Sequence, residues 1–420
     1  MSFKVVALGD AHLGRQYYSR TTPEGANQRE HDFEESFEAA VDLALSLEPD
    51  VVLWLGDVFD HPRPGYRAFR VAQRALGKIR DHGAPLVAIS GNHDTPRLPG
   101  TGSPYAPLAD TFPEFHLAYD GTYRAFDLPG LRVHAVPQML TVDESLAGLD
   151  QAAANRSADR VNLLVTHPRV PQVEPRSRDI NEIEVDAEAL RSDLVLLGHY
   201  HVHTKVRDTV WYAGSTDTFS FADDPDRPKG VVSLDTETGV CRHHGLPGRR
   251  PLVTPEPVAA AGLSPTELEA AVVERAAAVP DGAVARLFVD GADPQAWRLL
   301  DHSRVAEAYR HALWFRLEPA FLDAAAANRS GDRVNLLVTH PRIPQVEPRS
   351  RDINEIEVDA EALRSDLVLL GHYHVHTKVR DTVWYAGSTD TFSFADDPDR
   401  PKGVVSLDTE TGVCRHHPLP

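Results

Sequence analysis

Cysteine is scarce in this chain, with only Cys241 and Cys414 among 420 residues. Two cysteines cannot supply the disulfide framework of a small secreted domain, and they favour a reducing compartment. Long apolar runs are also missing: none approaches the ~20 residues that span a bilayer, so we expect no membrane segment. Residues 1–4 lead straight into a strand-like segment and show no signal-peptide pattern. We therefore expect a cytoplasmic protein.

The chain has few basic residues relative to acidic ones: 43 against 62, which gives a net charge of −19. Such a charge repels polyanions on average and argues against a protein that binds nucleic acid through bulk electrostatics. It leaves open the binding of phosphate through metal ions and local basic patches. No Walker motif occurs, so any ATP-driven step requires a partner.

The strongest pattern along the chain is an internal repeat. Residues 152–244 recur at 325–417, and the copies differ only where Ala158 becomes Gly331 and Val170 becomes Ile343. Solenoid repeats are shorter and serial, so this repeat indicates a recent segmental duplication or an error in assembling the sequence.

Three domains are expected: a catalytic α/β (α+β) domain at 1–245, a small α+β cap domain at 250–322, and the incomplete duplicate at 323–420. The first alternates strand-like and amphipathic helical segments. A Pro/Gly-rich hinge follows, and the capping box Ser264/Glu267 then begins a helix that should run to about Ala278. The elements expected in the catalytic domain are strands Lys4–Leu8, Val51–Leu55, Leu86–Ser90, Val161–Thr166 and Leu194–Leu197, and helices Asp32–Leu47 and Tyr66–Asp81.

Polar residues with metal-binding side chains follow each of these strands. The strand ends carry Gly9-Asp10-Ala11-His12, Gly56-Asp57-Val58-Phe59-Asp60, Gly91-Asn92-His93-Asp94, His167 and Gly198-His199-Tyr200-His201. Such positions bring ligands from distant parts of the chain to one edge of a sheet. This set contains more ligands than one ion can bind. Two ions that share a carboxylate would use all of these ligands and keep coordination positions for water and substrate. Carboxylate and imidazole ligands together favour manganese, with iron or zinc as alternatives, over magnesium or calcium.

Each motif has a structural alternative when it is taken alone. Asp-x-His is a weak signal, and the aspartate of Gly-Asp-x-x-Asp often caps a following helix. Gly-Asn-His-Asp could be a plain turn, and histidines are common in turns such as Gly-His-x-His. All five motifs in this order, each after an apolar strand, are hard to obtain by chance.

The series GDAHLG, GDVFD, GNHD, TH and GHYH resembles the signature of the calcineurin-like metallophosphoesterases. GDAHLG, GDVFDHPRP and the small domain after the catalytic one resemble more narrowly the SbcD nucleases, which work with the SbcC ATPase. The resemblance covers about residues 1–322. It implies a four-layer β-sandwich flanked by helices, two divalent metal ions, and cleavage of DNA ends in repair or recombination.

The resemblance also implies roles for individual residues. Asp10, His12 and His201 would hold one metal, and Asn92, His167 and His199 the other, with Asp57 bridging both. His93 would stabilise the transition state or protonate the leaving oxygen, with Asp94 orienting it. Asp60 would bond backbone in its turn.

Several substrate-binding residues are weaker expectations. Arg15 and Tyr17 follow the first motif and could line a substrate groove. Arg67 and Arg70 share a helix face with Arg74 and Lys78. That face is either a solvated surface or a track for phosphate groups.

The expected partners are DNA and an SbcC-like ATPase, with a homodimer as an alternative. Docking to the ATPase is in doubt, because the duplicate occupies the place of the helices that an SbcD chain carries there. Two other functions stay open: a phosphodiesterase acting on small molecules such as cyclic nucleotides, which the acidic charge favours, and a non-catalytic scaffold, which the complete ligand set argues against.

Either copy of the repeat could supply the second half of the sandwich, because their sequences are nearly identical. We expect residues 1–150 to form one half of the sandwich and 152–244 the other. The first copy is joined directly to its partner half, so His167, His199 and His201 should hold the metals. His340, His372 and His374 would lie apart from any carboxylate.

Overall fold

The computed structural model describes residues 3–173, 182–320, 336–339, 367–371, 377–386, 403–407 and 414–418. Two compact units make up the chain: one is Met1–Leu252 with Gly282–Val284, and the other is Val253–Asp281 with Ala285–Pro420. Within the described residues, no helix combines the length and the apolarity needed to cross a membrane.

The first unit contains twelve strands and four α-helices within the described residues. The strands are β1 Lys4–Leu8, β2 Val51–Leu55, β3 Leu86–Ile89, β4 His116–Ala118, β5 Arg124–Leu128, β6 Leu131–Val136, β7 Val161–Thr166, β8 Leu194–Leu197, β9 Thr204–Arg207, β10 Val210–Tyr212, β11 Gly230–Asp235 and β12 Cys241–Gly245. The helices are α1 Gln28–Ser46, α2 Tyr66–His82, α3 Tyr105–Thr111 and α4 Val142–Ala154.

These strands form two six-stranded sheets. The first has the order β12-β11-β1-β2-β3-β4, and the second has the order β5-β6-β7-β8-β10-β9. Strands β1 to β4 run parallel, as do β6, β7, β8 and β10. Parallel neighbours end at the same edge of a sheet, so the motifs after β1, β2 and β3 share one edge and those after β7 and β8 share another.

Apolar side chains from both sheets fill the space between them. Alternate residues of each strand contribute, for example Val5 and Leu53 from the first sheet and Val133 and Leu163 from the second. The remaining residues of β1 and β2 face outward under α1 and α2, where Phe37 and Leu76 are fully buried. A third cluster covers the outer face of the second sheet, including Leu149 of α4. The mixed α/β class and the helix-flanked sandwich are thus confirmed.

Local signals explain most of the element boundaries. Helix α1 begins four residues before the expected start, because the Asn27 side chain caps it by accepting from the Glu30 amide. Helix α2 ends at Gly83, which has φ 87°, a left-handed conformation that glycine adopts without strain. Strands β1, β2, β7 and β8 have the expected bounds.

The expected division of the sandwich into halves is wrong. Strands β11 and β12 come from the repeated segment, yet they join the first sheet, where β11 pairs antiparallel with β1. Strands β5 and β6 precede the repeat and join the second sheet, where β6 pairs with β7. Each sheet therefore contains strands from both stretches of sequence.

The second unit contains a small α+β part. Strand β13 Leu252–Val253 lies at the boundary, followed by β14 Val258–Ala259, β15 Val284–Asp290 and β16 Trp314–Ala320, with helices α5 Pro265–Arg275, α6 Pro294–Arg298 and α7 His302–Ala308. Strand β14 pairs parallel with β15, and β16 also pairs with β15. The capping box Ser264/Glu267 is formed at the start of α5.

Strands of the second copy repeat the pairing of the first. They are β17 Leu336–Thr339, β18 Leu367–Leu370, β19 Thr377–Arg380, β20 Val383–Tyr385, β21 Gly403–Leu407 and β22 Cys414–Pro418. The order β17-β18-β20-β19 reproduces β7-β8-β10-β9, and β21 pairs with β22 as β11 does with β12. His340, His372 and His374 lie outside the described residues, so their expected separation from carboxylates stays a prediction.

Candidate metal centre

The predicted ligands follow directly after parallel strands, and the backbone bends sharply there. Asp10, His12, Asp57 and His199 have positive φ angles of 51°, 47°, 49° and 93°. Non-glycine residues rarely adopt this region, and such strain concentrates at functional sites. Hydrogen bonds hold the bends together: the amides of Asp10 and His12 donate to the carbonyls of Gly56 and Asp57 at 3.0 and 2.9 Å.

Two glycines permit the close approach of these segments. A Cβ atom on Gly91 would lie 2.2 Å from Asp57 Oδ1, and one on Gly198 would lie 2.6 Å from His167 Nδ1 and 2.1 Å from the Leu55 carbonyl oxygen. No side chain fits at such distances, so glycine is required at both positions.

The first group of predicted ligands converges. One ligand atom from each of Asp10, His12 and His201 lies within 4.8 Å of the others. The Nε2 atoms of His12 and His201 are 3.1 Å apart, and all three side chains are buried or half-buried. This is the group that the resemblance assigned to one metal.

The second group converges beside the first. Asp57 Oδ2 lies 3.2 Å from His167 Nε2 and 3.8 Å from His12 Nε2, so the Asp57 carboxylate faces both groups. Asn92 Oδ1 lies 3.0 Å from His199 Nδ1, and the amide of His199 donates to Asp10 Oδ1 at 2.9 Å. All seven predicted ligands are therefore brought to one place.

Each of the four histidines has one ring nitrogen next to an acceptor outside the cluster. His12 Nδ1 lies 3.1 Å from Asp60 Oδ1, and His201 Nδ1 lies 2.9 Å from Asp223 Oδ1. His167 Nδ1 lies 2.6 Å from the Leu55 carbonyl oxygen, and His199 Nε2 lies 3.4 Å from Glu182 Oε1. The other nitrogen of each ring faces the cluster, the arrangement typical of metal-ligating histidines.

Burial and neighbouring charges have opposing effects on the pKa values of the cluster. Burial, together with the Arg15 guanidinium, lowers the pKa of His12 to about 3, so its imidazole is neutral. Burial alone would also lower the pKa of His167, but the neighbouring Asp57 carboxylate outweighs it and raises that pKa to about 9. The pKa of Asp57 lies well below its ordinary value, because the charge of His167 overcomes the effect of burial. Burial raises the pKa of Asp10.

These residues fit a pair of divalent cations. Asp10 Oδ2 and His167 Nε2 are buried and make no hydrogen bond of ordinary geometry, although His167 Nε2 lies near Asp57. Buried polar atoms without a partner are costly, and a cation would satisfy both. Oxygen and imidazole donors together suit manganese, iron or zinc.

His93 lies at the edge of the cluster, about one-fifth exposed (21%). Its ring meets the edge of the His12 ring at 4.6 Å, and its amide donates to Asp57 Oδ1 at 2.8 Å. Its Nδ1 lies 3.3 Å from the Asp60 carbonyl oxygen and 3.6 Å from Asp60 Oδ1. Asp60 thus contacts both His93 and His12.

The expected roles of Asp94 and Asp60 need correction. The Asp94 carboxylate is fully buried and accepts from the amides of Gly91 at 2.7 Å and Val58 at 2.9 Å, and from the Tyr105 hydroxyl at 2.9 Å. It therefore ties together the loops after β2 and β3. Burial and the Asp57 charge raise its pKa to about 7. Asp60, expected to bond backbone, is the carboxylate that contacts the imidazoles of His12 and His93.

The expected substrate-binding residues separate into two places. Arg15 lies at the cluster: its Nε is 3.1 Å from Asp60 Oδ1, and its guanidinium lies 5.8 Å from the centre of the Tyr17 ring. Arg67 lies on α2 and pairs with Glu34 of α1 at 2.6 Å. Arg70 is exposed on the same helix. The structure therefore places Arg15 and Tyr17 beside the predicted ligands, whereas Arg67 forms an ion pair between helices α1 and α2.

A cavity of about 350 Å³ opens beside Asn92, with Arg97, Gln138 and Met139 among its lining residues. It mixes polar and apolar walls, as binding sites for organic groups do. Neither this cavity nor the supporting residues Glu182 and Asp223 was expected. Both carboxylates lie outside the five motifs, and only the structure reveals their imidazole partners.

Comparisons with known proteins agree with this geometry. Residues 3–203 match the family model described as calcineurin-like phosphoesterase. Three similar curated proteins are each named DNA double-strand break repair protein Mre11. The one from Saccharolobus solfataricus is 27% identical over 206 residues, 49% of this chain and 51% of that protein. The one from Thermoplasma acidophilum is 30% identical over 50% of this chain and 55% of that protein. The one from Halobacterium salinarum is 30% identical over 56% of this chain and 57% of that protein. The chain thus spans about half the length of these curated relatives.

Proposed function

We propose that the chain, whose residues 3–203 match the calcineurin-like phosphoesterase family model, is a metal-dependent phosphodiester hydrolase that cleaves DNA at its ends. The observation that carries the proposal is the set of four imidazoles around Asp10 and Asp57. Each has one nitrogen bound outside the cluster and the other directed inward. Such rings are oriented for cations before any cation binds.

Two cations would be held by the groups that the geometry brings together. Asp10, His12 and His201 hold one, Asn92, His167 and His199 hold the other, and Asp57 faces both. When bound, a cation pair supplies Lewis-acid chemistry for a phosphoryl group and for water. Manganese is the proposed metal.

The remaining residues of the centre bind, orient and transfer protons. His93 touches the cluster and keeps contact with solvent, so it is placed to donate a proton to the leaving oxygen. Asp60 orients it through Nδ1. Arg15, which pairs with Asp60 beside His12, adds a fixed positive charge that would attract a substrate phosphate.

Relatives named for DNA double-strand break repair support DNA as the proposed substrate. We further propose a cytoplasmic setting and an SbcC-like ATPase as partner, with a homodimer as an alternative assembly. A phosphodiesterase for small molecules is the second candidate, because the net charge of −19 opposes binding of a polyanion.

A manganese-supplemented assay separates these functions. The full chain, stripped of metal by chelator, is given Mn²⁺ and either linear duplex DNA or a cyclic nucleotide at equal phosphodiester concentration. A circular duplex of the same sequence is the control for end dependence. We expect metal-dependent release of nucleotides from the linear duplex and little from the circle. Turnover of the cyclic nucleotide without action on DNA would establish the second candidate instead.

A further inference from the structure

Phe219 is a buried aromatic residue that touches two of the proposed ligands. Its ring centre lies 4.9 Å from that of His12 and 5.1 Å from that of His201, with interplanar angles of 78° and 65°. Only 1% of its surface is exposed. Edge-to-face packing of this kind fixes ring orientation as well as position. Phe219 therefore restricts both imidazoles whose Nε2 atoms are 3.1 Å apart.

Hydrogen bonds on both sides hold the backbone at Phe219. Its amide donates to Asp223 Oδ2 at 2.9 Å, while Oδ1 of the same carboxylate binds His201 Nδ1. The preceding carbonyl, that of Thr218, accepts from Arg29 Nη2 at 2.7 Å. The segment is thus hydrogen-bonded both to Asp223, which also contacts His201, and to Arg29 of helix α1.

Arg29 is fully buried, which is unusual for a guanidinium. Its Nη1 donates to Asp32 at 2.9 Å, and its Nη2 lies 3.8 Å from Asp217 Oδ1. The guanidinium also lies 4.3 Å from the centre of the Phe33 ring, which itself packs on Phe219 at 4.9 Å. A buried charge is expensive unless it is paired and hydrogen-bonded, so this arrangement allows Arg29 few other positions.

We propose that Phe219, held by Arg29, is a positioning residue for one of the two cation sites, that of Asp10, His12 and His201. The inference rests on the two-cation function proposed above and adds that the two sites have separate supports. His167 and His199 are oriented instead by the Leu55 carbonyl and by Glu182. A change at Phe219 should therefore weaken one cation and spare the other.

The test measures manganese binding to the metal-free full chain by calorimetry, which needs no turnover. Phe219→Leu should weaken one binding step by roughly 10–100-fold, the usual effect of losing a support of a metal ligand, and leave the other step within about twofold. The weakened step should be the one that His201→Asn removes and His167→Asn retains. Phe37→Leu is the matched control: it removes a buried ring from α1 that packs on Trp54, and both steps should persist.

Arg29→Lys is a second variant, and it keeps the charge while losing the guanidinium that joins Asp32 to Thr218. It should weaken the same step to a smaller degree. Equal weakening of both steps by Phe219→Leu, or no weakening, overturns the inference while the two-cation function stands. A wild-type chain that binds no manganese overturns both.

Discussion

Each of the four histidines proposed as ligands has one ring nitrogen next to a supporting acceptor and the other directed into the cluster. His12, His201 and His167 use Nδ1 for an acceptor outside the cluster, whereas His199 uses Nε2. Such a bond orients the ring, and once the ring is neutral it fixes the tautomer whose other nitrogen carries a lone pair towards the cluster. Backbone bends with positive φ at Asp10, His12, Asp57 and His199 bring these rings together, so strain is concentrated where the ligands lie.

Metal binding should release a proton from His167. In the metal-free chain its pKa is about 9, so the ring is charged at pH 7 and cannot bind a cation through Nε2. Because the neutral form is required, the apparent manganese affinity should rise roughly tenfold per pH unit and level off near pH 9. Calorimetry in buffers with different ionisation heats measures the number of protons released, which should be about one at pH 7. His12 adds none above pH ~5, since its pKa is about 3. Zero release would show that His167 is neutral before metal binds.

His93→Gln should retain metal and lose rate. The side chain meets the cluster only through ring contact with His12 and through Asp60, so manganese binding should stay within about twofold of wild type. Without the proton donor, kcat should fall by about 10²–10⁴-fold. Steady-state cleavage with parallel calorimetry separates the two effects. Loss of a bound manganese would make His93 a ligand instead.

A row of ion pairs joins helices α1 and α2. Arg67, Arg74 and Lys78 of α2 pair with Glu34, Glu38 and Asp42 of α1 at 2.6, 2.5 and 2.6 Å. The basic face of α2 is therefore neutralised by its neighbour. This geometry favours a solvated, salt-bridged face over a phosphate track.

Replacing Arg74 and Lys78 together by alanine should have small effects. Exposed pairs contribute little, so the free energy of unfolding in urea should fall by less than about 1 kcal/mol per pair. The dependence of DNA cleavage on salt concentration should keep its slope. Arg80→Ala removes one exposed positive charge of the same helix outside this set of residues and serves as the control. If the slope of the salt dependence fell by about one for each residue removed, these residues would contact phosphate groups of the DNA.

The elements also show which parts of the centre the sequence could predict. Apolar runs followed by glycine and a polar residue identified β1, β2, β7 and β8 and every expected ligand, because the pattern is local. Glu182 and Asp223 carry no such pattern, and their partners lie on other segments. Strand β6 was missed because Arg132 and His134 interrupt its apolar run. The interleaving of β11 with β1 depends on packing between distant segments and cannot be predicted from periodicity.

Among the residues that the structure describes, the first copy of the repeat is part of a complete two-sheet sandwich, whereas the strands of the second copy lack the neighbouring strands of their equivalents. In the first copy, β6 flanks β7 and β1 flanks β11. In the second copy, β17 is an edge strand among the described residues. Val165 and Val231 are 1% and 0% exposed, whereas their equivalents Val338 and Val404 are 69% and 51% exposed. Exposed apolar strand edges promote association between chains.

A chain shortened to residues 1–322 should keep its activity and gain solubility. It retains β16 and the entire first unit, and it removes the exposed edges of the second copy. Light scattering after size-exclusion chromatography should show less aggregate, and manganese-dependent cleavage per mole should match the full chain. Loss of fold or activity would mean that the second copy completes the centre, and three ligands would then move to His340, His372 and His374.

Asp57 is proposed to bridge both cations, and the number of bound manganese ions tests this role. The chelator-stripped full chain is equilibrated with Mn²⁺, and bound metal is measured by electron paramagnetic resonance, which also detects magnetic coupling between neighbouring ions. We predict two coupled ions per chain in the wild type and none coupled in Asp57→Asn, because the carboxylate that faces both ligand groups is then neutral. Asp42→Asn, an exposed change on α1, should leave the coupled pair intact. A wild-type chain with one ion would rule out the two-cation centre, and a coupled pair that persists in Asp57→Asn would show that Asp57 does not bridge the ions.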